Sequence, residues 1–231
     1  MVRLPSRGGS LMLARALNSA VRQPGGGDLC LEFNGTNNNV TIPSLGSVSS
    51  FSVAYWAEAD AWANDELMFD CQSGRLVIAT EDGYYKYYNT SWRSSGIAVL
   101  SGWHHYAWDF GSSACHLSVD DGTYTGSLSG LSISALNGTT KLGSRYTSEK
   151  FWPGKVGDFR VYDGVLSASE ITDLYENYAQ PVTTSSSLLL WYKFAEGTAD
   201  AAATGANSII DSSGNGYHGT PVNSPIYRAV A

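Results

Sequence analysis

Between Leu29 and Tyr162 the sequence is a succession of short β-branched and aromatic runs, each closed off by Gly, Asn, Ser or Pro. No other feature restricts the fold as tightly. The runs are Leu29–Phe33, Asn39–Ile42, Phe51–Glu58, Glu66–Asp70, Leu76–Thr80, Tyr84–Tyr88, Trp103–Phe110, Cys115–Val119, Thr123–Ser127, Thr139–Leu142 and Lys155–Tyr162. Segments of this length, recurring roughly every ten residues, predict an all-β, two-sheet antiparallel sandwich. Asp120-Asp121-Gly122 reads as a hairpin turn, because Gly supplies the positive φ such turns need. One body helix is predicted: Ser167-Ala168-Ser169-Glu170 forms a capping box, and Ile171, Leu174, Tyr175 and Tyr178 then line one face. Asp173 and Glu176 fall on its solvated side. The chain has 25 Gly, 14 Tyr and 7 Trp and only 15% charged residues, which sets aside helical bundles and coiled coils.

Charge divides the chain. Residues 1–27 carry Arg3, Arg7, Arg15 and Arg22 and no acid, giving +4, so the net −7 leaves −11 for residues 28–231. An acidic body repels phosphate, and nucleic-acid binding by it is not expected. The spacing predicts a short amphipathic helix in the arm capped by Ser10, with Leu13, Leu17, Ala20 and Val21 on one face, and Gln23-Pro24-Gly25-Gly26-Gly27 is expected to act as a flexible hinge. Cys30, Cys71 and Cys115 are an odd number without metal-ligand spacing and are expected to be small buried residues, not a disulfide framework. No apolar run approaches the roughly 18 residues of a membrane span. Arg15 interrupts Leu11-Met12-Leu13-Ala14, so a cleaved signal peptide is not expected.

Taken in order, several segments resemble the laminin-G-like and pentraxin-like domains of the concanavalin A-like lectin/glucanase superfamily. Leu31-Glu32-Phe33-Asn34-Gly35 followed by Val40-Thr41-Ile42-Pro43 is similar to the family's opening strand pair. Phe51-Ser52-Val53-Ala54-Tyr55-Trp56, Gly102-Trp103-His104-His105-Tyr106-Ala107, Leu117-Ser118-Val119-Asp120-Asp121-Gly122 and Lys141-Leu142-Gly143 resemble later strands. Gly154 through Ile171 (GKVGDFRVYDGVLSASEI) resembles the closing strand and helix. The resemblance spans residues 29–178 and implies a jelly-roll sandwich. Leu190-Trp191-Tyr192-Lys193-Phe194 and Asp211-Ser212-Ser213-Gly214-Asn215-Gly216 look like the family's leading segment, yet they follow the body. The expected organisation is an anchoring arm and hinge over 1–27, a jelly roll over 28–180, and a segment over 181–231 that completes the same sandwich as permuted leading strands, the other reading being that it completes a neighbouring subunit.

The resemblance also frames function. Pentraxin-like calcium sites use acids after the strand that ends in Gly143, but Ser144-Arg145-Tyr146-Thr147 offers no carboxylate. Ala54 and Tyr106 stand near the places of the pentraxin cysteines. Asp211 and Asn215 with Asn34 are the remaining candidates for a calcium ion; the other reading of that turn is an Asx-rich loop bonding its own backbone. No cofactor is required on either reading. Related glucanases carry a Glu-x-Asp-x-x-Glu strand, which is missing here: Glu58 and Asp60 have the first spacing and no third acid. His104 and His105 face opposite ways on one strand, so they do not pair as catalytic bases. Catalysis is not expected. For sugars, the candidate contacts are Tyr84 and Tyr88 on one face of the strand that carries Tyr85 and Tyr87 on the other, with Trp92, Arg93, Tyr146 and Trp152 nearby; exposed rings stack on sugar C–H faces and Arg bonds hydroxyls. The expected function is non-catalytic recognition or display on a larger assembly, foremost a phage virion accessory protein: a capsid decoration, fibre or tail protein at the virion surface. It would be anchored through Arg3, Arg7, Arg15 and Arg22, oligomeric or part of a symmetric assembly, and able to take host glycans. The alternative is a carbohydrate-binding or adhesion module of an extracellular bacterial cell-surface protein.

Overall fold

In the computed structural model, which describes residues 24, 28–59, 66–71, 76–89, 91–111, 114–122, 124–129 and 136–230, the apolar runs become strands. The first ten are β1 (Leu29–Asn34), β2 (Asn39–Ile42), β3 (Phe51–Ala59), β4 (Glu66–Cys71), β5 (Leu76–Glu81), β6 (Tyr84–Asn89), β7 (Ser91–Ala98), β8 (His104–Phe110), β9 (Ala114–Val119) and β10 (Tyr124–Ser129). They are followed by β11 (Thr140–Leu142), β12 (Pro153–Asp163), α1 (Ala168–Glu176), β13 (Ser187–Tyr192), β14 (Thr220–Val222) and β15 (Ile226–Ala229). One sheet has eight strands in the order β10-β9-β8-β3-β12-β1-β15, with β13 also paired to β12. The other has seven, in the order β14-β2-β11-β4-β5-β6-β7. Every strand pair is antiparallel, as the alternating jelly-roll pattern requires.

The core lies between the sheets. Phe51, Val53, Tyr55 and Ala57 from β3 meet Phe69, Ile78, Tyr85 and Tyr87 from β4, β5 and β6, all buried. This settles the face of β6: Tyr85 and Tyr87 point inward, and Tyr84, 42% exposed, points out. The intervening residues of β3 are buried as well, because α1 covers the outer face of the eight-stranded sheet. Ala54 sits directly opposite Ala107, and these two small side chains let Leu166, Ile171 and Leu174 pack close. Trp56 stacks on Tyr175 with ring centroids 5.4 Å apart. Burying one such aromatic stabilises the fold by about 2–3 kcal/mol. The helix begins with the predicted capping box, the Ser167 side chain accepting from the Glu170 amide and Glu170 accepting from the Ser167 amide.

Two features were not visible in the strand rhythm. The Ser-rich stretch after Asn89 reads as a loop in sequence but is strand β7, held by β6 through Tyr88↔Trp92 and Tyr87↔Arg93. In β12, register shifts between Gly157 and Arg160, where Asp158 adopts φ +48°. Before that bulge β12 pairs with β1, after it with β13. The C-terminal residues thus pair within the same chain, β13 and β15 in one sheet and β14 in the other. The bulge is fixed by a buried cluster: Arg160 bonds both carboxylate oxygens of Asp158 at 2.8 and 3.0 Å and the Gln180 carbonyl at 2.7 Å. Its guanidinium lies 4.3 Å from the Trp191 ring, whose indole N–H donates to Asp158 at 2.6 Å. The arm, with Arg3, Arg7, Arg15 and Arg22 and its expected helix, lies outside the described residues, as does Asp60.

Candidate functional site

Helix α1 covers the middle of the outer face of the eight-stranded sheet, over β3, β8 and β12. The outer face of the seven-stranded sheet has no helix across it among the described residues, and its register aligns one side chain from every strand. Thr220↔Thr41, Thr41↔Lys141, Lys141↔Asp70, Asp70↔Val77, Val77↔Tyr88 and Tyr88↔Trp92 are successive direct partners. With neighbouring strands about 4.8 Å apart, the row runs about 30 Å across the sheet. One end is polar and the other aromatic.

At the aromatic end, Leu67, Val77 and Ala79 form a small buried cluster under Tyr88 and Trp92. The two rings meet edge-on with centroids 5.3 Å apart. The segment joining β11 to β12 forms the opposite wall. Together Leu67, Val77, Tyr88, Trp92, Arg145 and Lys150 enclose an open groove of ≈ 290 Å³, close to the lower end of the range for small-ligand clefts. The wall is braced from within: Arg145 and Thr147 both donate to the Glu149 carboxylate, at 3.0 and 2.7 Å. Its ends are tied to β4 by Gly143 N–H to the Met68 carbonyl and Leu67 N–H to the Lys150 carbonyl. In the middle, the Tyr146 N–H donates to Asp70 Oδ2 at 3.1 Å. Asp70 is only 1% exposed. Burial pushes its carboxyl up to about 6, against the opposing pull of the Tyr146 amide and the Arg145 charge. Beside it in the row, the Lys141 ammonium turns away toward Asn39 Oδ1 and Thr41 Oγ1, at 3.1 and 2.7 Å, and burial lowers its pKa.

The residues expected from sequence separate in space. Tyr88 and Trp92 meet in the groove. Tyr84 stands apart near the Asp82-Gly83 turn, beyond Lys86, which pairs with Asp82 at 2.7 Å. Arg93 opposes the inward-pointing Tyr87, so alternation directs it to the face away from Trp92. Tyr146 belongs to the wall, with the Arg145 guanidinium 5.7 Å from its ring. Trp152 is 1% exposed and packs edge-on against Phe33 at 6.2 Å; it is core and lines no outer surface. Leu67, Asp70, Val77, Arg145 and Lys150 were not singled out as ligand contacts. The row that joins them exists only through cross-strand register.

The three residues considered for calcium do not converge. Asn34 opposes Pro153, whereas Tyr192, the bridge partner of Asp211, opposes Phe159, six positions along β12 and about 20 Å away. The Asp211 carboxylate accepts the amides of Trp191, Ser213 and Tyr217. The Asn215 amide donates to the carbonyls of Leu188 and Leu189, and Asn34 Oδ1 accepts from Thr36, Asn37 and Asn38. Both turns therefore bond their own backbone. Among the described residues no cluster of three or more His, Cys, Asp or Glu side chains could hold a metal. His104 bonds Asp120 at 3.0 Å, which raises its pKa despite partial burial. His105, buried against Trp56 and Tyr175, is pushed down to about 4 by desolvation. Glu58 pairs with Lys155 at 2.9 Å. No helix among the described residues is long and apolar enough to cross a membrane.

Residues 34–172 match the laminin G family model described as the concanavalin A-like lectin/glucanases superfamily. No curated protein sequence matches the chain. Among solved structures, a candidate carbohydrate-binding protein from Bacteroides ovatus ATCC 8483 superposes with a TM-score of 0.65 at 17% identity, over 90% of this chain and 61% of that one. The chain thus spans about three fifths of that protein's length. Domain 4 of AbnA, a GH43 extracellular arabinanase from Geobacillus stearothermophilus solved with arabinotriose, superposes at 0.52 and 18% identity, covering 63% of this chain and 76% of the domain. A heptameric SAP-like pentraxin from Limulus polyphemus gives 0.50 at 16% identity, covering 69% and 91%. At these identities the likeness establishes the fold.

Proposed function

Because the chain belongs to the concanavalin A-like lectin/glucanase superfamily, we propose that it is a carbohydrate-binding module, acting without catalysis, whose ligand lies in the groove between Tyr88, Trp92 and the 143–151 segment. The observation that carries this reading is the composition of that groove. One wall offers aromatic faces over an apolar floor, and the other offers Arg145 and Lys150. A sugar ring has the same two-sided chemistry, apolar C–H faces and a hydroxyl rim, so ring stacking and N–H donation are satisfied together. The groove also faces outward on a sheet face that no helix crosses among the described residues.

The expected display on a virion rests on the arm with Arg3, Arg7, Arg15 and Arg22, which lies outside the described residues, and nothing in the body adds to it. The body supports the module reading by itself, which suits a protein working at a bacterial surface or outside the cell.

A glycan array probed with the full chain tests the proposal, followed by titration of the best oligosaccharide against Tyr88→Ala, Trp92→Ala and Tyr84→Ala. Removing either groove ring should weaken binding about tenfold or more, equivalent to about 1.4 kcal/mol, while Tyr84→Ala should change it little. Unchanged affinity in both groove variants would place the ligand elsewhere.

A further inference from the structure

Beneath the 143–151 segment, next to the groove but not among its lining residues, lies the buried carboxylate of Asp70. Asp70 sits in the cross-strand row between Lys141 and Val77, and its bond to the Tyr146 amide is the side-chain tie at the middle of the segment that carries Arg145 and Lys150. We propose that Asp70 is a positioning residue for this groove: as a carboxylate it holds the 143–151 segment by the Tyr146 amide so that Arg145 and Lys150 face Tyr88 and Trp92, and on protonation it lets that segment go. The consequence for ligand rests on the glycan reading; the tie itself does not.

The groups around Asp70 are few. From β11 comes Lys141, its ammonium committed to Asn39 and Thr41. From β5 comes the uncharged Val77. From the segment come Arg145, paired with Glu149, then Tyr146, and at its end Lys150. From β4 itself, Glu66 stands four residues away at the far end of the strand. Arg145 therefore favours the carboxylate, and burial opposes it more strongly, which puts the midpoint at mildly acidic pH. An amide bonded to a carboxylate is held by a charge-assisted bond roughly twice as strong as a neutral one. Protonation thus weakens the tie at the point where the backbone bonds at either end of the segment do not compensate.

The experiment follows the Tyr146 amide by ¹⁵N–¹H NMR and hydrogen exchange in the full chain from pH 5 to 8, without ligand. The same series is run for Asp70→Asn, whose amide oxygen still accepts but does not titrate in this range, and for Asp70→Ser, which is too short to reach. In the wild-type chain the Tyr146 signal should move with a midpoint near pH 6 and lose protection below it. In Asp70→Asn, an uncharged acceptor like the protonated acid, it should stay flat at the wild type's low-pH level, and in Asp70→Ser unprotected throughout. In parallel, affinity for the best oligosaccharide of the array should fall up to about tenfold between pH 7 and pH 5 in the wild type, following the protonated fraction, and in Asp70→Asn hold steady near the wild type's pH 5 level. A flat Tyr146 profile in the wild-type chain overturns the tie. A titrating Tyr146 with pH-independent affinity overturns the positioning role. If no oligosaccharide binds at any pH, the glycan reading falls, and the Tyr146 profile alone decides whether Asp70 governs the segment.

Discussion

Replacing Arg160 by Met removes a cation that is 1% exposed and leaves its partner in place. Asp158, itself 3% exposed, would keep the Trp191 indole bond but lose both guanidinium bonds. Breaking a buried ion pair from one side costs about 3–5 kcal/mol, because the remaining charge is desolvated without compensation. Two further contacts go with it: the bond to the Gln180 carbonyl and the stacking on Trp191. Those contacts join the β12 bulge to the chain after α1 and to β13, so the C-terminal pairing should loosen together with the bulge. For a chain of this size each kcal/mol lowers Tm by about 2–4 °C, which makes the expected drop about 6–20 °C. Thermal unfolding measures the drop, and guanidinium chloride unfolding followed by tryptophan fluorescence measures the loss of free energy. The double variant Asp158→Asn/Arg160→Met removes the stranded charge and should recover a large part of the loss; comparison with Asp158→Asn alone completes the cycle. A loss below about 1 kcal/mol in Arg160→Met, or a double variant no better than the single one, would refute the argument that an unpaired buried charge governs this site.

Glu170 holds the amides of Ser167 and Ser185, and these bonds outweigh partial burial to bring its carboxyl down to about 2. Its stabilisation is therefore complete above about pH 4.5 and disappears as pH falls through about 2; Glu170→Gln should cost about 1–2 kcal/mol at pH 7 and almost nothing near pH 2, read from urea midpoints at the two pH values. Burial pushes the Cys30 thiol up to about 12 and raises that of Cys115 further, so a thiol reagent at pH 8 should label neither in the native protein and both once denaturant unfolds it. Rapid labelling of the native chain would contradict their buried placement.

How much was legible in the sequence varies by element. The strand rhythm, the capping box at Ser167 and the order of motifs from Leu31 to Ile171 fixed a jelly-roll sandwich with one helix, because each rests on residues close in the chain. Period-two alternation needs a handful of neighbours, and a capping box needs four. β7 escaped because Ser91-Trp92-Arg93-Ser94-Ser95-Gly96 has little strand character of its own and pairs through its neighbour β6. The C-terminal segment showed its motif but not its partner; the bulge at Asp158 decides that, by ending β1's claim on β12 and opening the remainder to β13.

The groove divides the same way. Alternation separated Tyr84 and Tyr88 from Tyr85 and Tyr87 within one strand, but which pair faces out was decided by the sheet packing, and Trp92 lay on a stretch that reads as loop. Arg93 and Trp152 looked equivalent to Tyr88 and Trp92 in sequence, and the fold sent one to the opposite face and the other into the core. Asp70 lies on β4, 18 residues before Tyr88, Arg145 and Lys150 lie in the irregular connection between β11 and β12, and no local pattern links them. By itself, the sequence determined what each strand must hide, because hydrophobic periodicity is local. Which outward side chains stand side by side was decided by register across seven strands, a non-local property that forms only when the sheet does.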